Sequence, residues 1–254
     1  MNIVVPFKMV PDLVDELNVD ELGTGLDTAW LRLIISEFDD HAIEQAILLK
    51  EQGSAQVTVL GPETEGVEYV LFTAAAKGAD RLIRFSTSLE ARWSSHALAQ
   101  SIVQNIRDLQ PDLILTGVQA HTDLDGSLGP LLAEQLGMPY VGYVSGVEVA
   151  DGTVRVKKEY PGGLAGEMEV RLPAVLGIQA AARPPRYVAV SKVRESSRTA
   201  KVEQLTLPDS TVAGRAKVLR MFKPEVASRA QMIEGSPGEV ADRLLVIFKE
   251  IGVL

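Results

Sequence analysis

The chain has 254 residues, 46% of them hydrophobic, a net charge of −9 and a pI of about 5.0. The acidic balance argues against a nucleic-acid or anionic-membrane surface, and no window approaches the roughly 18 to 20 consecutive apolar residues of a membrane span. The absence of cysteine excludes a disulfide, a thiolate metal site, a cysteine nucleophile or an iron–sulfur cluster held by this chain. Met1 leads straight into an apolar run with no basic stretch before it, so no secretory signal is expected and the cytoplasm is the default location.

Ile3–Phe7 reads as a first strand ending at Lys8, a lysine that can face a phosphate but in such places is more often simply exposed. Pro11 to Thr28 is polar, with Gly23 and Gly25, and reads as a loop with short extended pieces. Trp30–Ile35 suits a strand or a short helix. A helix follows to about Gln52, with Asp39 or Ser36 as N-cap, Ala42, Ile43, Ala46, Ile47 and Leu49 as its apolar side, and Gly53 as its stop. Strands are expected at Gln56–Leu60 and Arg81–Phe85, and helices at Val67–Lys77 and Glu90–Asp108. This alternation implies a mostly parallel sheet with right-handed crossovers.

The stretch from Pro111 to Gly137 carries the strongest functional signal. Leu113–Thr116 is a short apolar run of the kind that forms a buried parallel strand. The loop Gly117–Asp125 holds Gln119, His121, Thr122, Asp123 and Asp125, and Gly126–Ser127–Leu128–Gly129 opens an amphipathic helix ending at Gly137. An α/β sheet presents a ligand in this way, at the carboxyl end of a strand. Free N–H groups in the first helical turn suit a phosphate; the aspartates, which only accept hydrogen bonds, suit ribose hydroxyls better. The plainer reading makes Asp125 an N-cap and Asp123 a loop solubiliser.

Beyond Gly137, Tyr140–Val149, Thr153–Tyr160 and Glu167–Leu172 are strand-like, separated by Asp151–Gly152 and Pro161–Gly162–Gly163, both hairpin turns by composition. Pro173–Ile178 returns to the main sheet. The pair Pro184–Pro185 excludes a helix at that point, and a basic, polar run continues to Lys201. Leu205–Pro237 reads as an extended tail with little core of its own. Ser236–Pro237–Gly238–Glu239 then makes a capping box for a last helix with Val240, Leu244, Leu245 and Phe248 on one stripe. Such a helix docks on another molecule or folds back on its own domain.

No G-x-G-x-x-G follows a strand, and there is no Walker A sequence. His41, His96 and His121 are not at metal-ligand spacing, and only His121 lies in a candidate site. Ser127 lies near Asp123 and Asp125, but a serine at a helix start is usually a cap. No Ser-His-Asp arrangement is visible, so the residues favour a binding protein, with no catalytic or metal-ligating set.

Several segments together resemble one family, the β subunit of electron-transfer flavoproteins. They are Val5–Pro6–Phe7–Lys8–Met9–Val10–Pro11–Asp12, Ser36–Glu37–Phe38–Asp39–Asp40–His41–Ala42, Ala75–Ala76–Lys77–Gly78–Ala79–Asp80–Arg81, Gly117–Val118–Gln119–Ala120 with Gly129–Pro130 through Gly137–Met138–Pro139, Gly162–Gly163–Leu164, Leu172–Pro173–Ala174–Val175 and Pro185–Arg186–Tyr187. The resemblance covers nearly the whole chain. It implies an adenine-nucleotide α-hydrolase-like fold: an α/β, doubly wound, mostly parallel, Rossmann-like sheet with an antiparallel hairpin extension. Residues 1–200 would form the nucleotide-binding domain, and residues 201–254 an arm and helix docking on a partner subunit. It further implies a heterodimer with an FAD-bearing α subunit that carries electrons from a flavin dehydrogenase to an acceptor, with AMP or a second FAD in this chain.

Carried over by position, the nucleotide pocket takes Pro6, Phe7, Lys8, Ser36, Phe38, Asp39, Leu60, Gly61 and the run Val118, Gln119, Ala120, His121, Thr122, Asp123, Leu124, Asp125, Gly126, Ser127, Leu128 and Gly129. Phe38 would also lie near the partner's flavin. Arg186, Tyr187 and Val190 fall on the family's dehydrogenase-recognition loop, Val190 at the position of its anchoring leucine. Departures from the pattern are Ser36–Glu37 in place of Asn-Pro, aspartates shifted by one to Asp123 and Asp125, and Val190–Ser191–Lys192–Val193 in place of the recognition loop's L-P-x-I, with Val190 a smaller anchor than leucine. They imply a divergent member with an unusual dehydrogenase and an altered nucleotide preference. The alternatives are a stand-alone adenine-nucleotide-binding or signalling module of the same fold and, further off, a nucleotide hydrolase.

Overall fold

The computed structural model describes residues 1–86, 94–123, 126–150, 152–206, 218–224 and 232–253. The elements in chain order are β1 (Asn2–Pro6), β2 (Met9–Pro11), β3 (Leu33–Ile35), α1 (Glu37–Gln52), β4 (Gln56–Pro62), α2 (Val67–Lys77), β5 (Arg81–Ser86), α3 (Ser95–Asp108), β6 (Leu113–Gly117) and α4 (Leu128–Leu136). Then come β7 (Tyr140–Ala150), β8 (Thr153–Tyr160), β9 (Leu164–Arg171), β10 (Ala174–Ile178), α5 (Val190–Thr199), β11 (Val202–Thr206) and α6 (Pro237–Glu250).

Nine strands form one sheet in the order β11-β5-β4-β1-β6-β10-β7-β8-β9. Every pairing from β11 to β7 is parallel; β8 and β9 add an antiparallel meander at the far edge. This is the expected doubly wound α/β architecture. Alternation in β1 and β6 sends Ile3, Val5, Leu113 and Leu115 to the face covered by α1 and α2, and Val4 and Ile114 to the face covered by α3 and α4. The chain leaves β1 toward β4 and β5 on one side and places β6 on the other. The strand order therefore reverses between β1 and β6, which is where open α/β sheets bind ligands.

Helix α1 is covered on both sides. Its apolar side meets the sheet, yet Glu44 and Gln45 are also buried, because residues 181–186 cross over them as a strap. Ala181 N–H donates to His41 Nδ1 at 3.2 Å and Ala182 N–H to Gln45 Oε1 at 2.9 Å. Arg186 donates from its backbone to Glu44 Oε2 at 3.0 Å and from Nε to Glu44 Oε1 at 2.7 Å, and also reaches Glu51. Lys77 of α2 stands 3.9 Å from the same Glu44 and pairs with Asp40 at 2.6 Å. Pro184 and Pro185 have no N–H to satisfy, so the strap carries fewer donors that need partners.

The structure changes several sequence-based expectations. Of Trp30–Ile35, only Leu33–Ile35 forms a strand, the short β3, antiparallel to β2; Trp30 lies in a turn. The helix expected from Glu90 starts at Ser95, with the extended Ser94 as cap accepting from Ala97 N–H; Glu90 itself lies outside the described residues. The polar run before Lys201 contains a helix, α5, whose Val193 is buried and which packs on α2. The sheet runs past residue 200: β11 pairs with β5 from Val202↔Leu82 to Thr206↔Ser86, so the first residues of the expected arm belong to the α/β unit. Farther along, Met221 N–H donates to Gly23 O at 2.7 Å and Lys223 pairs with Glu16 at 2.9 Å, tying the arm to the loop between β2 and β3. The capping box of α6 is complete, and α6 has no buried residue. Gly162 and Gly163 both adopt positive φ in the hairpin turn, as the composition requires; Asp151 of the preceding turn lies outside the described residues.

Candidate functional site

The site begins with a proline. Phe7 N–H donates to Leu60 O on β4 at 3.0 Å, so the alternate positions 6 and 8 turn their backbone donors toward β6. Pro6 has no N–H and ends that ladder. Accordingly β1 pairs with β4 from Asn2↔Gln56 to Pro6↔Leu60, but with β6 only at Ile3↔Leu113 and Val4↔Ile114. Beyond those pairs the two strands part, and the gap between their carboxyl ends is the crevice.

Asp39, in the first turn of α1, bridges the gap. Its Oδ2 accepts Lys8 N–H at 2.9 Å and its Oδ1 accepts Gly117 N–H at 2.7 Å. Lys8 O in turn accepts Ser36 N–H at 3.0 Å, so the backbone of Lys8 is held twice by the start of α1. Ser36 occupies the N-cap position but its side chain makes no capping bond; Asp39 is inside the helix rather than its cap. Burial pushes the Asp39 carboxyl up to about 7; the two backbone N–H bonds and the Lys8 charge pull it down, and the Asp123 charge adds to the rise. Because the folded chain holds this proton more tightly than the unfolded one, the group's contribution to stability is fullest below about pH 4 and is lost as the pH rises through 7.

Lys8 is buried, not exposed. Its Nζ lies 2.5 Å from Asp123 Oδ1 and 3.1 Å from Ser95 Oγ, with side chains only 5% and 7% exposed for Lys8 and Asp123. Asp123 Oδ2 also accepts Ala120 N–H at 2.9 Å, closing the loop after β6 on itself. The buried ammonium is thus already neutralised by a carboxylate, and Asp123 is engaged with its own chain.

The remaining sequence-predicted residues fall into groups. Pro6, Phe7, Leu60 and Gly61 close on one another in the core, since a Cβ on Gly61 would fall inside the Phe7 ring. Phe38 is half-buried; Val118 and Ala120 are buried; Gln119 and His121 are exposed and Thr122 is half-buried. Gly126 and Ser127 lead into α4, whose Leu128 and Gly129 are buried. Leu124 and Asp125 lie outside the described residues. Arg186 is committed to the strap, whereas Tyr187 is 88% exposed and Val190 is half-exposed at the first position of α5.

Sequence reading missed three residues here. Ser95 was hidden by placing the start of α3 too early. Thr116, the one polar residue in the run Leu-Ile-Leu-Thr, is fully buried with no hydrogen-bond partner for Oγ1 among the described residues. It abuts the first turn of α4, where a Cβ on Gly129 would lie 2.7 Å from Thr116 Oγ1 and 2.8 Å from the Tyr140 ring. Burial raises the Tyr140 phenol to about 12. Ser127 makes no side-chain cap for α4. The free N–H groups of the first turn of α4, where the cap residue Ser127 offers no side-chain bond, suit an anionic ligand, with the buried Thr116 hydroxyl packed beneath that turn. Among the described residues no cluster of three or more His, Asp or Glu is placed to hold a metal, and no helix is long and apolar enough to cross a membrane.

Comparison with known proteins matches residues 26–210 to the family model described as Electron transfer flavoprotein domain. The chain belongs to the electron transfer flavoprotein family. Its relatives include the electron transfer flavoprotein subunit beta of Methylophilus methylotrophus, 28% identical across 98% of each chain, and that of Clostridium acetobutylicum, 33% identical over 76% of this chain and 74% of the relative. Protein FixA of Azorhizobium caulinodans is 29% identical over 98% of this chain and 94% of its own length. Within this flavoprotein fold, Gly117 is where strand and helix meet without room for a side chain: a Cβ there would lie 2.7 Å from Asp39 Oδ1 and 2.8 Å from both the Asp39 nitrogen and the Phe38 carbonyl carbon. Gly117→Ala is expected to destabilise the chain by about 1–3 kcal/mol, read as a lower urea midpoint at unchanged slope; an unaltered midpoint would show that strand and helix are not locked together here.

Proposed function

We propose that this chain is the nucleotide-holding β subunit of a heterodimeric electron carrier. An adenine nucleotide occupies the crevice between the carboxyl ends of β1 and β6, and an FAD-bearing α subunit completes the carrier. It is not a catalyst by itself, and it works in the cytoplasm with a flavin dehydrogenase as electron donor. The observation that supports this reading most is the parting of β1 from β6 at the sheet's switch point, beside the first turn of α4, where Ser127 makes no side-chain cap bond. The family relationship and the names of its relatives point the same way.

The first turn of α4 would receive the phosphate, while the exposed Gln119 and His121 and the half-buried Phe38 line the approach. Lys8, bound to Asp123, would set the shape of the loop rather than meet the phosphate. When bound, FAD supplies the redox chemistry; this chain's residues bind and orient. The exposed apolar residues of α6, Leu244, Leu245 and Phe248, supply a face for the partner subunit. Tyr187 and Val190 supply the contact for the dehydrogenase. The stand-alone adenine-nucleotide module remains the second reading, and the unburied α6 disfavours it.

The test is to co-express the chain with its flavin-bearing partner, denature the complex and quantify released nucleotides by mass spectrometry and absorbance. AMP and FAD in equal amounts is the expected result; two FAD per heterodimer would place a redox centre in this chain. Flavin without any second nucleotide would contradict the nucleotide-holding role. Val190→Asp is expected to slow flavin reduction by the donor dehydrogenase at least tenfold at unchanged nucleotide content; equal rates would remove Val190 from the docking contact.

A further inference from the structure

Asp39 was carried over as a nucleotide contact, yet its carboxylate faces inward. It is 4% exposed, and both oxygens are taken by backbone N–H groups from two different strand ends. Those two N–H groups, of Lys8 and Gly117, are the donors left over where Pro6 stops the β1–β6 ladder. A carboxylate inserted between two strand ends replaces the missing ladder bonds and fixes the separation of the strands. Gly117 permits this, since any larger residue would collide with Asp39.

We infer that Asp39 is a strut: without touching the nucleotide, its carboxylate holds the β1–β6 crevice at its working width by accepting from the Lys8 and Gly117 N–H groups at once, and protonating it loosens that hold and weakens nucleotide binding. The consequence for binding rests on the nucleotide reading given above; the strut itself does not.

The chemistry is simple acceptor counting. An ionised carboxylate accepts from both N–H groups at once. A protonated one carries an O–H on one oxygen, which meets Lys8 N–H or Gly117 N–H as a second donor, so one side of the bridge fails. The charge on Asp39 is opposed by burial and supported by its two N–H partners, which places its carboxyl near 7 rather than in the usual range. The charged groups acting on it from neighbouring elements are Lys8, at the end of β1, and Asp123, in the loop after β6, and these two are paired with each other. On its own helix, Asp40 is paired with Lys77 of α2, and His41 accepts Ala181 N–H from the strap.

The structural arm of the test follows the amide resonances of Lys8 and Gly117 in the isotope-labelled full chain from pH 5.5 to 8.5, with no nucleotide present. Both are expected to titrate together with a midpoint near 7, to become flat in Asp39→Asn, and to keep titrating in Asp40→Asn. Flat resonances in the unaltered chain, which needs no variant to fold, would overturn the inference. The binding arm measures AMP affinity by calorimetry at pH 6 and pH 8. The unaltered chain and Asp40→Asn should bind about tenfold more weakly at pH 6 beyond whatever change Asp39→Asn shows, the latter absorbing the titration of the AMP phosphate itself. An equal pH dependence in Asp39→Asn and the unaltered chain would overturn the coupling. Titrating amides in a chain that binds no AMP at either pH would sustain the strut and refute the nucleotide reading.

Discussion

The crevice of this protein depends on a hydrogen bond that cannot form. Pro6 sits where β1 should donate to β6, and a residue without an N–H breaks the ladder. A parallel sheet with one strand pair parted at its carboxyl end would normally leave buried N–H groups unpaired, at a cost of about 1–3 kcal/mol each. Asp39 removes that cost by accepting from both Lys8 and Gly117. The remainder of the site follows from this exchange. Lys8 is held by its backbone, so its ammonium reaches Asp123 and Ser95, and Asp123 in turn closes the loop that precedes α4.

The same economy runs through the other side of α1. A helix with glutamate and glutamine on its outer face would ordinarily leave them in water. Here the segment 181–186 brings backbone N–H groups and Arg186 to them, and two prolines pass across the helix without adding donors. The strap leads into α5 and then β11, which extends the sheet beyond β5. It leaves Tyr187 projecting into solvent at the bend. Position and exposure at that bend are therefore set by the Glu44–Arg186 bonding beneath it.

Much of the fold was legible because the determining signals are local. Gly53, Gly78 and Gly137 stop the helices they follow, the hairpin glycines carry the positive φ their turn needs, and the Ser236–Glu239 capping box is written in four residues. Elements determined by distant partners were not legible. Helix α5 looks like a polar run because only Val193 is buried, and β11 is a strand because β5 offers it a free edge.

The candidate site divides in the same way. The residue types at Lys8, Asp39 and Asp123 marked the right region, but a sequence cannot say which way a carboxylate turns. All three are bound within the chain, while the Thr116 hydroxyl, in an apolar strand, has no hydrogen-bond partner among the described residues. The most direct test of the account is an experimental structure of the chain in complex with the flavin-bearing partner proposed for it. The account predicts an adenine nucleotide between the carboxyl ends of β1 and β6, with its phosphate at the first turn of α4. A flavin-loaded complex with that crevice empty, or with the nucleotide on another face, would contradict it.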